Sequence, residues 1–204
     1  MIDRPGKIVC VGRNYVAHAK ELGNEVPLEP LIFLKPPSSV IPTGTPIVLP
    51  PQSQQVEYEG EIGVVIGHAL KHASESAARE GIKAVVAVND VTARDLQKKD
   101  GQWTRAKGFD TFCPLGDGAT PPRDLATLEI VTRVNGTERQ RAKAAEMAFA
   151  IPRLLAYIST VMTLEPGDLV ATGTPAGVGP LAPGDTVEIE ITGLSVVRNP
   201  VVRA

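Results

Sequence analysis

Residues 56–67, VEYEGEIGVVIG, place glutamates at 57, 59 and 61 in a run that otherwise has the character of a strand. Successive strand side chains point to opposite faces, so Glu57, Glu59 and Glu61 share one face, with neighbours roughly 6–7 Å apart. Three like charges at that spacing repel, so either the face is solvated or something positive sits against it. Tyr58, Gly60 and Ile62 fall on the other face and VVI follows, which carries the strand into a core. Further on, the apolar run KAVVAVND ends on Asp90. Carboxylate oxygens without cysteine or a nearby histidine select Mg²⁺, Mn²⁺ or Ca²⁺ over zinc, and Mg²⁺ leaves positions open for substrate. Paired carboxylates also serve glycoside hydrolysis. Aromatic residues are only 4% of the chain, which ranks that reading below a cation site.

His18 and Glu21 stand three apart on a short helical segment and therefore share a face. A carboxylate beside an imidazole orients it and raises its basicity, which a general base requires, although a solvated surface pair has the same spacing. His68 and His72 flank a polar helix start and read as surface residues. Lys107, in WTRAKGFD, could bring a positive charge to a cleft. TGTPAGVG lacks the lysine and spacing of a phosphate loop and reads as a turn or a loop lining a site.

The elements that must position these residues are mostly strands. KIVCVG opens with a short strand, and YVAHAKELG is a helix closed by Gly23. LIFL and PIVLP are extended runs that their prolines push toward sheet edges. SESAAREG is a helix capped by Ser74 or Ser76 and stopped at Gly81. The segment TARDLQKKDGQWTRAKGFDTFCPLG reads as polar and irregular. LEIVTRV-NG-TERQR is a hairpin turned at Asn135-Gly136. IPRLLAYISTVM is an amphipathic helix with apolar positions 151, 154, 155, 158, 161 and 162. Strands outnumber helices without alternating with them, which makes the class α+β.

With 204 residues, one domain over 1–204 is expected, long enough for a sizeable core. Lysine plus arginine total 21 against 23 acids, a net charge of -2, so nothing draws the chain to nucleic acid or an anionic membrane. MIDRPGKIVCVG has no apolar signal region, and no run reaches transmembrane length. Cys10 and Cys113 are isolated thiols, which fits a cytoplasmic location.

GRNYVAHAKELG, FLKP, YEGEIGVVIG, AVNDVTARDLQ, GQWTRAKGFDTFCPLG, TGTPAGVG and RNPV together resemble the fumarylacetoacetate hydrolase family, in the family's order and over nearly the whole chain. The closest likeness is to compact members with acylpyruvase or oxaloacetate decarboxylase activity and to hydroxyheptadienedioate isomerases. The resemblance implies the family's mixed β-sandwich roll, a homodimer, and the catalytic domain without an N-terminal SH3-like domain. It assigns Glu59, Glu61 and Asp90 as ligands of Mg²⁺ or Mn²⁺, with Glu57 as a flanking residue. His18 and Glu21 become the catalytic dyad, Lys107 a catalytic cation, and Arg94, Gln97 and Thr174 substrate contacts.

The implied reaction is cleavage of a carbon–carbon bond in acylpyruvates or related β-dicarbonyl 2-oxo acids through an enolate. His18, oriented by Glu21, would activate the water. Oxaloacetate decarboxylation and isomerisation of 2-hydroxyhepta-2,4-diene-1,7-dioate share that enolate and are the alternatives. Residues 12–27, bounded by glycine and proline, are expected to form a mobile lid carrying His18. The reading from a different class is a non-catalytic β protein that binds a divalent cation for stability alone.

Overall fold

The computed structural model describes residues 4–21, 23, 25 and 27–204. Strand β1 (Ile8–Gly12) leads into helix α1 (Val16–Glu21). The Pro-punctuated stretch yields β2 (Leu31–Lys35), β3 (Val40–Pro42) and β4 (Ile47–Leu49). The glutamate stretch forms β5 (Val56–Tyr58) and β6 (Gly60–Ile66). Helix α2 (Glu75–Glu80), whose first turn is capped by the Ser74 hydroxyl accepting the Ala77 N–H, precedes β7 (Ile82–Asn89). Next come β8 (Thr92–Ala93), α3 (Arg94–Asp100), α4 (Thr104–Lys107) and β9 (Cys113–Leu115). The hairpin β10 (Glu129–Val134) and β11 (Thr137–Lys143) turns at Asn135 and Gly136, with φ of 52° and 78°, as two left-handed residues require. Helix α5 (Ile151–Val161), β12 (Leu169–Ala171), β13 (Gly179–Pro180), β14 (Thr186–Ile191) and β15 (Ser195–Arg203) complete the chain.

A 7-stranded sheet has the order β2-β1-β12-β6-β7-β9-β3, and its edge strands β2 and β3 are neighbours in sequence. Lying flat, such a sheet would hold its edges roughly 29 Å apart. The five steps from Lys35 to Val40 span at most about 18 Å. The sheet is therefore curled until its edges approach, which makes the roll. Its strands alternate between two apolar clusters: Val9, Val11, Ile62, Val64 and Val170 join the main core, while Ile8, Cys10, Val65, Val86 and Cys113 pack together on the opposite face. The 5-stranded sheet β11-β10-β14-β15-β4 covers the middle of the roll at β6 and β7, and Val187, Ile189 and Ile191 on alternate positions of β14 face that interface. The result is the α+β sandwich roll. The edge positions of β2 and β4 follow from their flanking prolines.

Three local expectations change. The glutamate stretch is not one strand: β5 belongs to a 3-stranded sheet with β8 and β13, and the chain crosses to the large sheet at Glu59. There the Asn89 side chain takes the Glu59 N–H at 3.0 Å and the Glu59 carbonyl accepts the Asp90 N–H at 2.8 Å, which replaces a continuous ladder on either side. The segment after Asp90, read as irregular, contains α3 and α4. Helices of 7 and 4 residues, ended at Gly101 and Gly108, complete too few turns to show a periodicity. On α5, Ile151, Leu154, Leu155 and Ile158 are buried beside α2, but Val161 is 57% exposed. Among the described residues no helix is long and apolar enough to cross a membrane.

Candidate active site

One cavity of about 70 Å³ is lined by His18, Glu59, Glu61, Asp90, Arg94, Gln97, Lys107 and Thr174, together with Val11, Gly12, Arg13, Phe33 and Trp103. The structure thus brings together every residue expected to have a catalytic, substrate-binding or ligand role except Glu21, which stands behind His18. The crossing at Glu59 is what aims the acids inward. Glu59, Glu61 and Asp90 each offer an oxygen within 4.8 Å of the others, and all three are buried. Glu57 is outside that group.

The positive partners come from three different elements. Arg94, at the start of α3, bridges Glu57 (2.8 Å) and Glu59 (2.6 Å) and reaches Gln97 at 2.6 Å. Lys107, at the end of α4, donates to Glu59 Oε2 at 2.8 Å and to Asp90 Oδ2 at 2.7 Å. Lys35, at the end of edge strand β2, donates to Asp90 Oδ1 at 2.6 Å and to the Val91 carbonyl at 3.2 Å. His18 reaches in from α1. Burial alone would raise the Glu59 carboxyl, but Lys107, Arg94 and His18 together hold it well below the usual carboxylate range. Burial would likewise lower the Lys107 ammonium, yet Asp90 and Glu59 outweigh it and raise it above the ordinary lysine range.

Glu61 is the exception. Its Oε2 accepts the Gly173 N–H at 2.8 Å, and among the described residues no cation pairs with it. Burial, Asp90 and Glu59 push its carboxyl well above the usual range. Four buried carboxylates (Glu57, Glu59, Glu61, Asp90) therefore meet three buried cations (Lys35, Arg94, Lys107), and the deficit falls at Glu61. An all-oxygen donor set short of positive charge suits a hard divalent cation such as Mg²⁺ or Mn²⁺, and the residues present fit one.

That deficit makes a test. Mg²⁺ at a hundred times its dissociation constant is expected to stabilise the protein by about 2.7 kcal/mol, and EDTA to remove the gain. Glu61→Gln is expected to abolish the Mg²⁺ effect without lowering the urea midpoint in EDTA, because it deletes a charge the fold disfavours. A lowered midpoint in EDTA would mean that the Glu61 charge is already compensated.

The His18 dyad is built from two directions. His18 Nδ1 lies 3.1 Å from Glu21 Oε2, and Glu21 Oε1 accepts the Gly177 N–H at 3.0 Å. An ionised carboxylate can only accept, so in the neutral imidazole Nδ1 carries the proton and Nε2 keeps a lone pair for the cavity. Of segment 12–27, positions 22, 24 and 26 lie outside the described residues. Thr174 donates to the Gly60 carbonyl at 2.9 Å and accepts from Gln140 at 2.8 Å, so its orientation is fixed from the hairpin strand β11. Gly173 needs to be glycine: its φ is 100°, and a Cβ would stand 2.7 Å from that of Asn14.

Sequence reasoning left Lys35, Asn89, Gln140 and Arg13 without roles. Lys35 stood within the quoted FLKP, and a lysine in an apolar edge strand was the available signal. Gln140 had none, being one polar residue on a polar hairpin strand.

Residues 7–202 match the family described as fumarylacetoacetate (FAA) hydrolase, C-terminal. The chain belongs to the fumarylacetoacetate hydrolase family. It is 46% identical over 204 residues to a mitochondrial oxaloacetate tautomerase of Arabidopsis thaliana, covering 97% of this chain and 92% of that protein. It is 45% identical over 196 residues to a mitochondrial oxaloacetate decarboxylase of Dictyostelium discoideum, covering 92% and 89%. The crystal structure of a 2-hydroxyhepta-2,4-diene-1,7-dioate isomerase from Mycobacterium marinum superimposes with a TM-score of 0.90 at 47% identity, over 98% of this chain and 75% of that one. This family member therefore has relatives named for decarboxylation, tautomerisation and isomerisation of oxo and enol acids.

Proposed function

We propose that this family member is a Mg²⁺- or Mn²⁺-dependent enzyme that cleaves a carbon–carbon bond in acylpyruvates or related β-dicarbonyl 2-oxo acids. The observation that carries the reading is the meeting, in one small buried cavity, of a cation-deficient carboxylate triad with a His–Glu dyad. A protein that binds an ion for stability alone has no use for an oriented imidazole facing that ion's ligands.

Glu59, Glu61 and Asp90 would hold the divalent cation, which supplies a Lewis acid for the 2-oxo-carboxylate end of the substrate. Lys107, held by Glu59 and Asp90, presents a fixed positive charge to the oxygen on which negative charge develops. His18 takes a proton from water through Nε2 while Glu21 stabilises the imidazolium that forms. The water oxygen attacks the distal carbonyl, the carbon–carbon bond breaks, and the pyruvate enolate leaves and is protonated. Arg94, Gln97 and Thr174 line the wall that positions the substrate.

The names of the relatives support a second reading, oxaloacetate decarboxylation, in which carbon dioxide leaves and no water attacks. Pyruvate release from acetylpyruvate and from oxaloacetate, with Mg²⁺ and with EDTA, tests both. Mg²⁺-dependent release from acetylpyruvate is the expected result. Release from oxaloacetate alone would replace hydrolysis with decarboxylation, and release from neither would overturn both readings.

A further inference from the structure

We propose that Arg13 binds a carboxylate at the far end of the substrate, so that the preferred substrates are dicarboxylic 2-oxo acids. The inference rests on the reading of the triad as the site for the 2-oxo-carboxylate end.

Arg13 lines two cavities at once. One is the inner cavity of about 70 Å³ that holds the triad; the other is an outer groove of about 930 Å³ that runs along β2. Phe33 and Trp103 also line both, with ring centroids 5.2 Å apart in an edge-to-face pair, and form the wall between them. Arg13 therefore stands where the reaction cavity opens outward. A substrate whose oxo-acid end reaches the triad extends its other end past this residue.

The charges in the cavity single out the same side chain. Arg94 is taken up by Glu57, Glu59 and Gln97, and Lys107 by Glu59 and Asp90. Among the described residues, Arg13 alone of the arginines and lysines lining that cavity has no ion pair or side-chain hydrogen bond. A guanidinium presents parallel N–H groups that match a carboxylate in two-point contact.

The backbone holds it there against its own preference. Arg13 has φ of 58°, a left-handed conformation that residues other than glycine rarely adopt. Both neighbours are pinned. A Cβ on Gly12 would lie 2.9 Å from the Trp103 ring, so glycine is what lets the wall close. The Asn14 side chain donates to the carbonyls of Phe149 (3.2 Å) and Thr172 (2.8 Å) and accepts the Phe149 N–H at 2.9 Å. Strain that persists because both flanks are fixed points to a conformation kept for what the side chain does.

The test compares matched acids that are not cleaved. Binding of 2-oxoglutarate and of 2-oxovalerate, equal in length but ending in carboxylate or methyl, is measured calorimetrically on Mg²⁺-loaded protein. A six-carbon pair, 2-oxoadipate and 2-oxohexanoate, covers a longer reach. The wild type is expected to prefer the dicarboxylate of at least one pair by about tenfold or more. Arg13→Gln is expected to erase that preference by weakening the dicarboxylate alone, with the monocarboxylate within about twofold of wild type, and Arg13→Lys to recover part of it. Unchanged monocarboxylate binding also shows that the variant is folded. Absence of preference in both pairs, or equal weakening of both acids, would overturn the role of Arg13 and leave the triad reading standing. Wild-type protein that binds none of the four would overturn the triad reading and this inference with it.

Discussion

Lys107→Met is expected to destabilise the metal-free protein by about 3–5 kcal/mol, the usual cost of removing one partner from a buried ion pair. The lysine is 2% exposed and its ammonium is shared between Glu59 and Asp90. Methionine fills a similar volume, so the loss reports the stranded charge and not a void. Asp90 would keep Lys35 and Glu59 would keep Arg94, but the oxygens facing Lys107 would have no donor in a site with little room for water. A urea midpoint lowered at unchanged slope is the signature. Adding Mg²⁺ is expected to recover part of the loss, because a cation held by the same carboxylates supplies the missing positive charge. Arg105→Ala, which breaks the exposed pair to Asp100, is the control and is expected to shift the midpoint little, since solvent already screens that pair. A Lys107→Met midpoint equal to wild type would mean that water enters the cluster and satisfies it.

His18→Ala is expected to slow water-dependent cleavage of acetylpyruvate by roughly 10²-fold or more, the range ascribed to a positioned general base. The variant separates chemistry from structure because of what it leaves behind. Glu21 Oε1 keeps the Gly177 N–H, and the Glu21 side chain is 34% exposed, so the oxygen that loses its imidazole can take up water. None of the three carboxylates proposed to hold the cation is touched. Urea midpoint and Mg²⁺ affinity should therefore stay near wild type while kcat falls. Decarboxylation of oxaloacetate needs no attacking water and should lose far less. Equal rates on acetylpyruvate would remove the dyad from the mechanism, and a parallel loss of Mg²⁺ binding would make His18 a support for the ligands instead of a base.

The sequence by itself determined the features that repeat at short range or that travel as motifs. Alternation on β14, the Asn135-Gly136 turn, the Ser74 cap and the prolines beside β2 and β4 are decided by neighbouring residues, and each is found where local chemistry puts it. The family's motifs named the residues of the cavity because one stretch of chain carries each of them. The tertiary structure decided how their charges are answered. Lys35 meets Asp90 across 55 positions and Lys107 meets Glu59 across 48, with no periodicity to announce either pairing. The question posed by three glutamates at alternate positions also has a tertiary answer. The strand breaks at Glu59, Arg94 bridges the outer pair, and Glu61 is left with no cation paired to it among the described residues. Among the described residues, the guanidinium of Arg13 stands out as unpaired only once the roll has closed and Arg94 and Lys107, the other arginine and lysine lining the cavity, are engaged. Coulomb energy depends on distance through space, and in a curled sheet that distance is set by which edges meet and not by separation along the chain.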